Sequence, residues 1–292
     1  MEHRLAILPT GPVHYADFGG SGRPIVLVHG LGGSHLNWLP VGPRLAALGR
    51  VYALDLAGHG RTASRGRTAR VGANRRLLGA FLDEVAREPA VLVGNSMGGY
   101  LSIAEAAAEP AKVASLVLVN AALPMASRAT FDRRVFAWFM GMAVPGVGAA
   151  LMRVRARRGP ERMVRDVLRL CCVDASRVAP EVVEAHVALA RERVGYGRVV
   201  ARDFLAAQRS LMARLFRKKR FARMVAAVRA SALIVQGDRD RLVQVESAQA
   251  LAALRPDWQL AVLDGIGHVP QLEAPEQFLE VVVPWLRPRL PA

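Results

Sequence analysis

Cysteine is nearly absent: the only two in 292 residues are neighbours, Cys171 and Cys172. Adjacent residues seldom meet disulfide geometry and neither has another partner, so a disulfide-built scaffold is excluded and a reducing compartment fits best. The chain also lacks a long apolar leader. Leu5-Ala6-Ile7-Leu8 is stopped by Pro9 and is too short for a secretory signal, which makes a cytoplasmic protein the expectation. Lysine is scarce as well, with 3 Lys against 37 Arg. No zinc-finger spacing, aromatic RNP-like strand motif or heptad-plus-basic region accompanies the formal charge of +16, which argues against nucleic acid as partner. Internal repeats, low-complexity tails and interdomain linkers are missing too.

What is present divides the chain by charge. Residues 122–229 carry 23 Lys plus Arg and 8 Asp plus Glu, a net of +15, which leaves 17 − 16 = +1 for everything else. Outside that block, short apolar runs alternate with amphipathic stretches, the pattern of a mostly parallel sheet flanked by helices. Strands are predicted at 13–18, 25–28, 51–56, 91–93, 115–119, 232–236 and 260–263. Helices are predicted at 36–48, within 68–87, at 97–109 and 244–254, and within 273–286. The basic block has no comparable strand run. It reads as several helices punctuated by Gly and Pro, inserted as a lid between two halves of one core, 1–121 and 230–292.

Within the lid, Val135 to Met152 is eighteen residues without a charge, bracketed by Arg133-Arg134 and Arg153. That length reaches the threshold for a membrane span. Pro145 and the glycines at 141, 146 and 148 favour two short helices over one long one. Lid helices packed on a substrate pocket are the first expectation, and contact of the basic, apolar lid with an anionic membrane surface is the second.

The chemistry concentrates at strand ends. Gly94-Asn95-Ser96-Met97-Gly98-Gly99 follows the apolar run 91–93 and opens an alanine-rich helix, so Ser96 sits where a strand turns sharply into a helix. Gly94 and Gly98 permit the cramped turn, and the helix N-terminus behind it favours developing negative charge. A serine hydroxyl needs a base and a group to orient that base. His268, in the glycine-bearing loop 264–270 after the last strand, shares the carboxyl rim of the sheet with Ser96. His186 falls in the helical block, His3 and His14 precede the catalytic elements, and His35 and His59 lie on rim loops where they could touch substrate. Asp238 and Asp240 both follow the strand 232–236 and qualify as the orienting acid, whereas Asn120-Ala121-Ala122 offers no carboxylate. Oxyanion donors are available from the N–H of Met97 and from the loop His29-Gly30-Leu31-Gly32-Gly33-Ser34, where Leu31 N–H could point inward.

Together these residues resemble the α/β-hydrolase fold family over 11–121 and 230–288, in the order Ser, Asp, His, and Asp55-Leu56-Ala57-Gly58-His59-Gly60-Arg61-Thr62 is similar to one of its rim loops. The resemblance implies Ser96 as nucleophile, His268 as base, and Leu31 and Met97 as oxyanion donors, with Gly30, Gly32, Asn95 and Gly98 in support. It places the acid three residues beyond Gly237, on Asp240, with Asp238 in reserve. It further implies a lid inserted after the sixth strand and a reaction that needs neither cofactor nor metal.

A serine nucleophile implies acyl transfer to water. Asn95 resembles the carbon-carbon bond hydrolases of meta-cleavage products, yet Val269 after the histidine and Leu31-Gly32-Gly33 in the oxyanion loop look more like the esterase and lipase branch. A carboxylic ester of medium acyl chain length is therefore the expected small-molecule substrate. Carbon-carbon bond hydrolysis is the alternative, and a non-catalytic ligand-binding member of the fold is a third reading.

Overall fold

The computed structural model describes residues 1–126 and 132–290; residues 127–131, inside the expected insertion, and 291–292 lie outside the described residues. Eight strands form one sheet: β1 (Glu2–Leu8), β2 (Gly11–Gly19), β3 (Pro24–Val28), β4 (Arg50–Leu54), β5 (Ala90–Asn95), β6 (Val113–Val119), β7 (Ser231–Gly237) and β8 (Gln259–Leu263), in the order β1-β2-β4-β3-β5-β6-β7-β8. β1 and β2 pair antiparallel, β2 joins β4 antiparallel, and every pairing from β4 through β8 is parallel. β3 and β5 are buried along their whole length, which explains why their sequences read as uninterrupted apolar runs. The chain reverses its winding direction between these two neighbours, and in a parallel sheet the crevice at such a reversal lies beyond the carboxyl ends of the strands.

Ten helices of eight residues or more occur among the described residues: α1 (Val71–Phe81), α2 (Met97–Ala108), α3 (Arg133–Ala143), α4 (Val147–Ala156), α5 (Pro160–Cys171), α6 (Pro180–Glu192), α7 (Gly197–Leu215), α8 (Lys218–Ala226), α9 (Val245–Leu254) and α10 (Pro275–Leu286). One core cluster joins Leu77, Phe81 and Leu101 to Val26, Leu92 and Leu116 on one face of the sheet. A second joins Trp38, Leu45, Phe278 and Trp285 to Ile25, Val91 and Val117 on the other.

Helices α3 to α8 all fall between β6 and β7. They reach the rim at several loops. Leu168, Cys172 and Val182 pack with Val269 and Leu272, Arg193 Nη2 donates to Gly58 O at 2.6 Å, and Ser64 Oγ donates to Asp203 at 2.6 Å. The uncharged stretch 135–152 forms α3 and α4, bent by 110° at their junction. No single described helix is long and apolar enough to cross a membrane.

One strand was not predicted and one local expectation is corrected. Residues 5–8 belong to the edge strand β1, whose Leu5 and Ile7 remain 64% and 73% exposed. Its single neighbour buries too little side chain to impose an alternating pattern on the sequence. The helix expected over 36–48 is instead a 3₁₀ turn, His35–Trp38, followed by one α-turn, Gly42–Leu45. Pro40 and Pro43 each lack the N–H that a continuous helix would need there.

Candidate active site

Ser96 joins β5 to α2 with φ 53° and ψ −117°, a backbone conformation that costs a side-chain-bearing residue about 1–3 kcal/mol. Three hydrogen bonds hold it. Ser96 N–H donates to Val119 O at 3.0 Å, and Ser96 O accepts from Tyr100 N at 3.1 Å and Ala122 N at 2.8 Å. At about 0.5–1.5 kcal/mol each, these bonds match the strain and keep the serine at the apex of the turn. Crowding explains the glycines. A side chain at Gly98 would run into the Val28 carbonyl, and one at Gly30 would place Cβ 3.0 Å from Ser96 Cβ. Gly30 therefore abuts the serine, and Leu31 and Met97 are the residues that follow Gly30 and Ser96.

His268 is 4% exposed and donates from Nδ1 to Asp240 Oδ2 at 2.7 Å. Asp240 is fixed in turn: its Oδ1 accepts from Leu242 N at 2.7 Å and Val243 N at 3.0 Å, and Oδ2 accepts from Asn120 Nδ2 at 2.7 Å. Asp238 faces elsewhere, accepting from Ile266 N at 3.3 Å and pairing with Arg239 at 3.2 Å. Of the two aspartates that the sequence left open, only Asp240 meets the histidine.

Asn95 ties serine and histidine together, since its Nδ2 donates to Val119 O and to His268 O, both at 3.1 Å. The base-bearing loop is thus bonded to the residue immediately before Ser96. With Nδ1–H committed to Asp240, the imidazole keeps its Nε2 lone pair, the form that accepts a proton from a hydroxyl.

Three contributors escaped the sequence reading. Asn120, set aside for want of a carboxylate, adopts φ 43° and donates from one amide to both Asp240 and Gly267 O, the latter at 3.2 Å. Its position at the end of a strand flanked by β5 and β7 was the available signal. Cys171 acts through its backbone, accepting from His268 N at 2.6 Å. Burial pushes its thiol up to about 12, so it is no competing nucleophile. Glu273 accepts from Gly267 N at 2.8 Å and from Val173 N and Asp174 N at 2.8 and 2.9 Å, clasping the histidine loop to the end of α5.

The remaining histidines lie apart from this group. His29 and His59 are buried beneath the rim with rings 5.4 Å apart, and burial pushes them down to about 4 and about 3. His35 and His14 bond to Asp55, and His186 Nδ1 donates to Val182 O at 2.8 Å on α6. Among the described residues, one group of side chains has the spacing of a cation site: His14, His35 and Asp55. A cleft of about 1270 Å³ between loop 58–70 and residues 192–209 is bordered by Arg61, Arg67, Arg70, Arg193, Arg202 and Arg209 but by none of Ser96, Asp240 and His268.

Comparison with known proteins agrees with this architecture. Residues 25–281 match the model of the alpha/beta hydrolase family. A 2-hydroxy-6-oxononadienedioate/2-hydroxy-6-oxononatrienedioate hydrolase of Burkholderia vietnamiensis is 28% identical over 280 residues, covering 94% of this chain and 91% of that protein. A 2-hydroxy-6-oxo-2,4-heptadienoate hydrolase of Pseudomonas putida is 30% identical over 268 residues, covering 90% and 88%. The acetyltransferase component of an acetoin cleaving system, also from Pseudomonas putida, is 29% identical over 92% of this chain, which spans 65% of that protein's length. Among solved structures, an esterase from Thermogutta terrifontis superposes with a TM-score of 0.73 at 24% identity over all of both chains, and a meta-cleavage product hydrolase with a TM-score of 0.73 at 22% identity over 98% of both. The chain belongs to the α/β-hydrolase family and is a hydrolase.

Proposed function

We propose that the protein is a serine hydrolase cleaving carboxylic esters through an acyl-enzyme on Ser96, and that residues 122–229 form its lid. The observation that carries this reading is the bonded series from Asp240 through His268 to the residue preceding a strained serine. Ser96 Oγ attacks the ester carbonyl as His268 Nε2 takes its proton. The N–H groups of Leu31 and Met97 stabilise the oxyanion, and each such donor contributes a few kcal/mol. His268 returns the proton to the departing alcohol, then removes one from water, which attacks the acyl-enzyme and frees the acid.

The acyl pocket is apolar in this reading. Met142, Met152 and Leu205 cluster with Trp138 and Phe204, and Phe204 borders the oxyanion loop closely enough that a Cβ on Gly32 would lie 3.1 Å from its ring. Each buried methylene adds about 0.8 kcal/mol. kcat/KM should therefore climb about fourfold per carbon from acetate to hexanoate esters, with fluorophosphonate labelling lost in Ser96→Ala. Activity confined to acetate, or labelling that survives the substitution, would remove the proposal.

The names of the curated relatives favour a second reading, hydrolysis of a carbon-carbon bond in a vinylogous diketone by the same three side chains. Gly32-Gly33 and Val269, the latter buried against α5, support the ester. Competing turnover of a p-nitrophenyl ester and a 2-hydroxy-6-oxo-dienoate decides between them by the ratio of kcat/KM.

A further inference from the structure

The cleft between loop 58–70 and residues 192–209 holds more positive charge than its own acids can balance. Seven arginines and two acids line its space of about 1270 Å³, a net of +5. Both acids are already engaged. Glu192 accepts from Arg61 at 2.8 and 3.0 Å, and the buried Asp203 accepts from Arg202 at 3.0 Å and from Ser64 Oγ at 2.6 Å. Among the described residues, Arg65, Arg67, Arg70, Arg193 and Arg209 have no ion-pair partner. Both walls contribute. Arg202 and Arg209 recur with Val199 and Ala206 on one face of α7, while Arg65, Arg67 and Arg70 come from the loop. Hydrogen bonds from Arg193 Nη2 to Gly58 O, from Ser64 Oγ to Asp203 and from Val71 N to Ser210 Oγ hold these like-charged walls together.

A solvated basic face would leave its guanidiniums in water, and two of these are withdrawn from it. Arg193 is mostly buried and gives only Nη2, at 2.6 Å to Gly58 O, so its Nε and Nη1 are uncommitted. Arg209 gives Nη2 to Val144 O at 3.4 Å, and its Nε is buried without a hydrogen-bond partner among the described residues. Burial pushes the Arg193 and Arg67 guanidiniums down from their ordinary values. Arg67 spends most of its N–H groups on Thr10 O, Pro12 O and Ala63 O, so it supplies charge. The side chains of Arg65 and Arg70 are exposed and make no hydrogen bond among the described residues. Donors and charge thus await an anion.

We propose that this cleft binds an organic polyphosphate of the nucleotide type, its phosphates held by Arg193 and Arg209 on the helical wall and by Arg65 and Arg70 on the loop. Five uncompensated guanidiniums call for several phosphates, because a single phosphate ester carries only about −1.5 to −2 charge at pH 7. Guanidinium suits them, since its fork of N–H groups matches phosphate oxygens. The organic body follows from the apolar lining. Tyr196 and Val199 are 63% and 42% exposed in the cleft beside Val200 and Ala206, a surface that a bare inorganic ion would leave wet and a flat base would cover. Bound there, the ligand ties the helices between β6 and β7 to loop 58–70. None of Ser96, Asp240 and His268 lines the cleft, so the proposal stands whether or not the ester reading does.

The test is calorimetric titration of magnesium-free ATP, ADP, AMP and adenosine into the full-length protein, with the thermal midpoint followed in parallel. One ATP per chain should bind and raise the midpoint, with affinity falling as salt is added. AMP should bind about tenfold or more weakly than ATP, and adenosine not at all. Tripolyphosphate should also bind more weakly than ATP, since it leaves Tyr196 uncovered. The double variant Arg65→Gln/Arg70→Gln, at exposed positions without side-chain bonds, should fold and lose about tenfold or more in ATP affinity. Arg76→Gln/Arg162→Gln removes the same charge from exposed positions outside the cleft and should stay within about twofold of wild type. Absence of saturable ATP binding, equal losses in the two double variants, or tripolyphosphate binding as tightly as ATP would each overturn the proposal. So would displacement of ATP by a short single-stranded oligonucleotide at lower concentration than by ADP, which would assign the cleft to nucleic acid.

Discussion

Acid should destabilise this protein through two histidines that support the rim without taking part in the reaction. His29 is fully buried, donates from Nδ1 to Gly30 O at 2.7 Å and accepts at Nε2 from Leu56 N at 3.0 Å. Protonation would therefore bury a charge and turn an acceptor into a donor facing an N–H. His59 donates from Nδ1 to Ala57 O at 3.1 Å, and its buried Nε2 has no hydrogen-bond partner among the described residues. Arg193 adds positive charge near both, and the opposing pull of Asp55 is the smaller effect beside burial. Burial pushes His29 down to about 4 and His59 to about 3, against 6.5 in the unfolded chain. The folded state thus binds fewer protons than the unfolded state, so stability is complete above pH 6.5 and falls as the pH drops toward these values. Between pH 7.5 and 5.0 each histidine should cost about 2 kcal/mol and the pair about 4, a large part of a typical folding free energy of about 5–15 kcal/mol. Urea unfolding in chelator-containing buffers at the two pH values measures the loss, which at a slope near 3 kcal/mol/M moves the midpoint by about 1.3 M. His59→Gln keeps a donor for Ala57 O but cannot titrate, and should recover about 2 kcal/mol of the pH 5.0 deficit. An acid-induced loss of the same size in wild type and His59→Gln would refute the assignment.

Two further outcomes are expected. Asp240→Asn should reduce turnover by about 10³–10⁴-fold, because the amide leaves His268 in the wrong tautomer, whereas Asp238→Asn, which alters only contacts to Ile266 N and Arg239, should stay within a few-fold of wild type by steady-state ester hydrolysis. We also propose that α4 and the bend that precedes it dock on anionic lipid, since Val144 and Val147 are each 48% exposed at the bend and Val154 is 53% exposed toward the other end of α4, where Arg153, Arg157 and Arg158 lie. Vesicles containing phosphatidylserine should sediment the protein and pure phosphatidylcholine vesicles should not, with binding reduced in Val147→Asp; equal partitioning to both would remove the proposal.

What the sequence disclosed depends on which groups did the positioning. The parallel strands were legible because burial on both faces demands continuous apolar runs, as at 25–28 and 91–93, while β1, an edge strand with exposed Leu5 and Ile7, left no such mark. Ser96 and His268 announced themselves through side-chain type and strand-end location. Asp238 and Asp240 could not be separated in that way. They lie on one turn, and what distinguishes them is that Leu242 N, Val243 N and the Asn120 amide aim the second carboxylate at the histidine. Asn120 was discounted by asking only which residues could be the acid, although a carboxylate paired with imidazole also needs neutral donors on its remaining lone pairs. Cys171 marks the deeper limit, because its role falls to the carbonyl oxygen that every residue possesses. The Cys171 side chain packs with the cluster around Leu168 and Val269, but it is the turn at the end of α5 that delivers the oxygen to His268 N. The helical block is therefore joined to the base-bearing loop by main-chain geometry, and a reading confined to side-chain chemistry sees the two as independent parts.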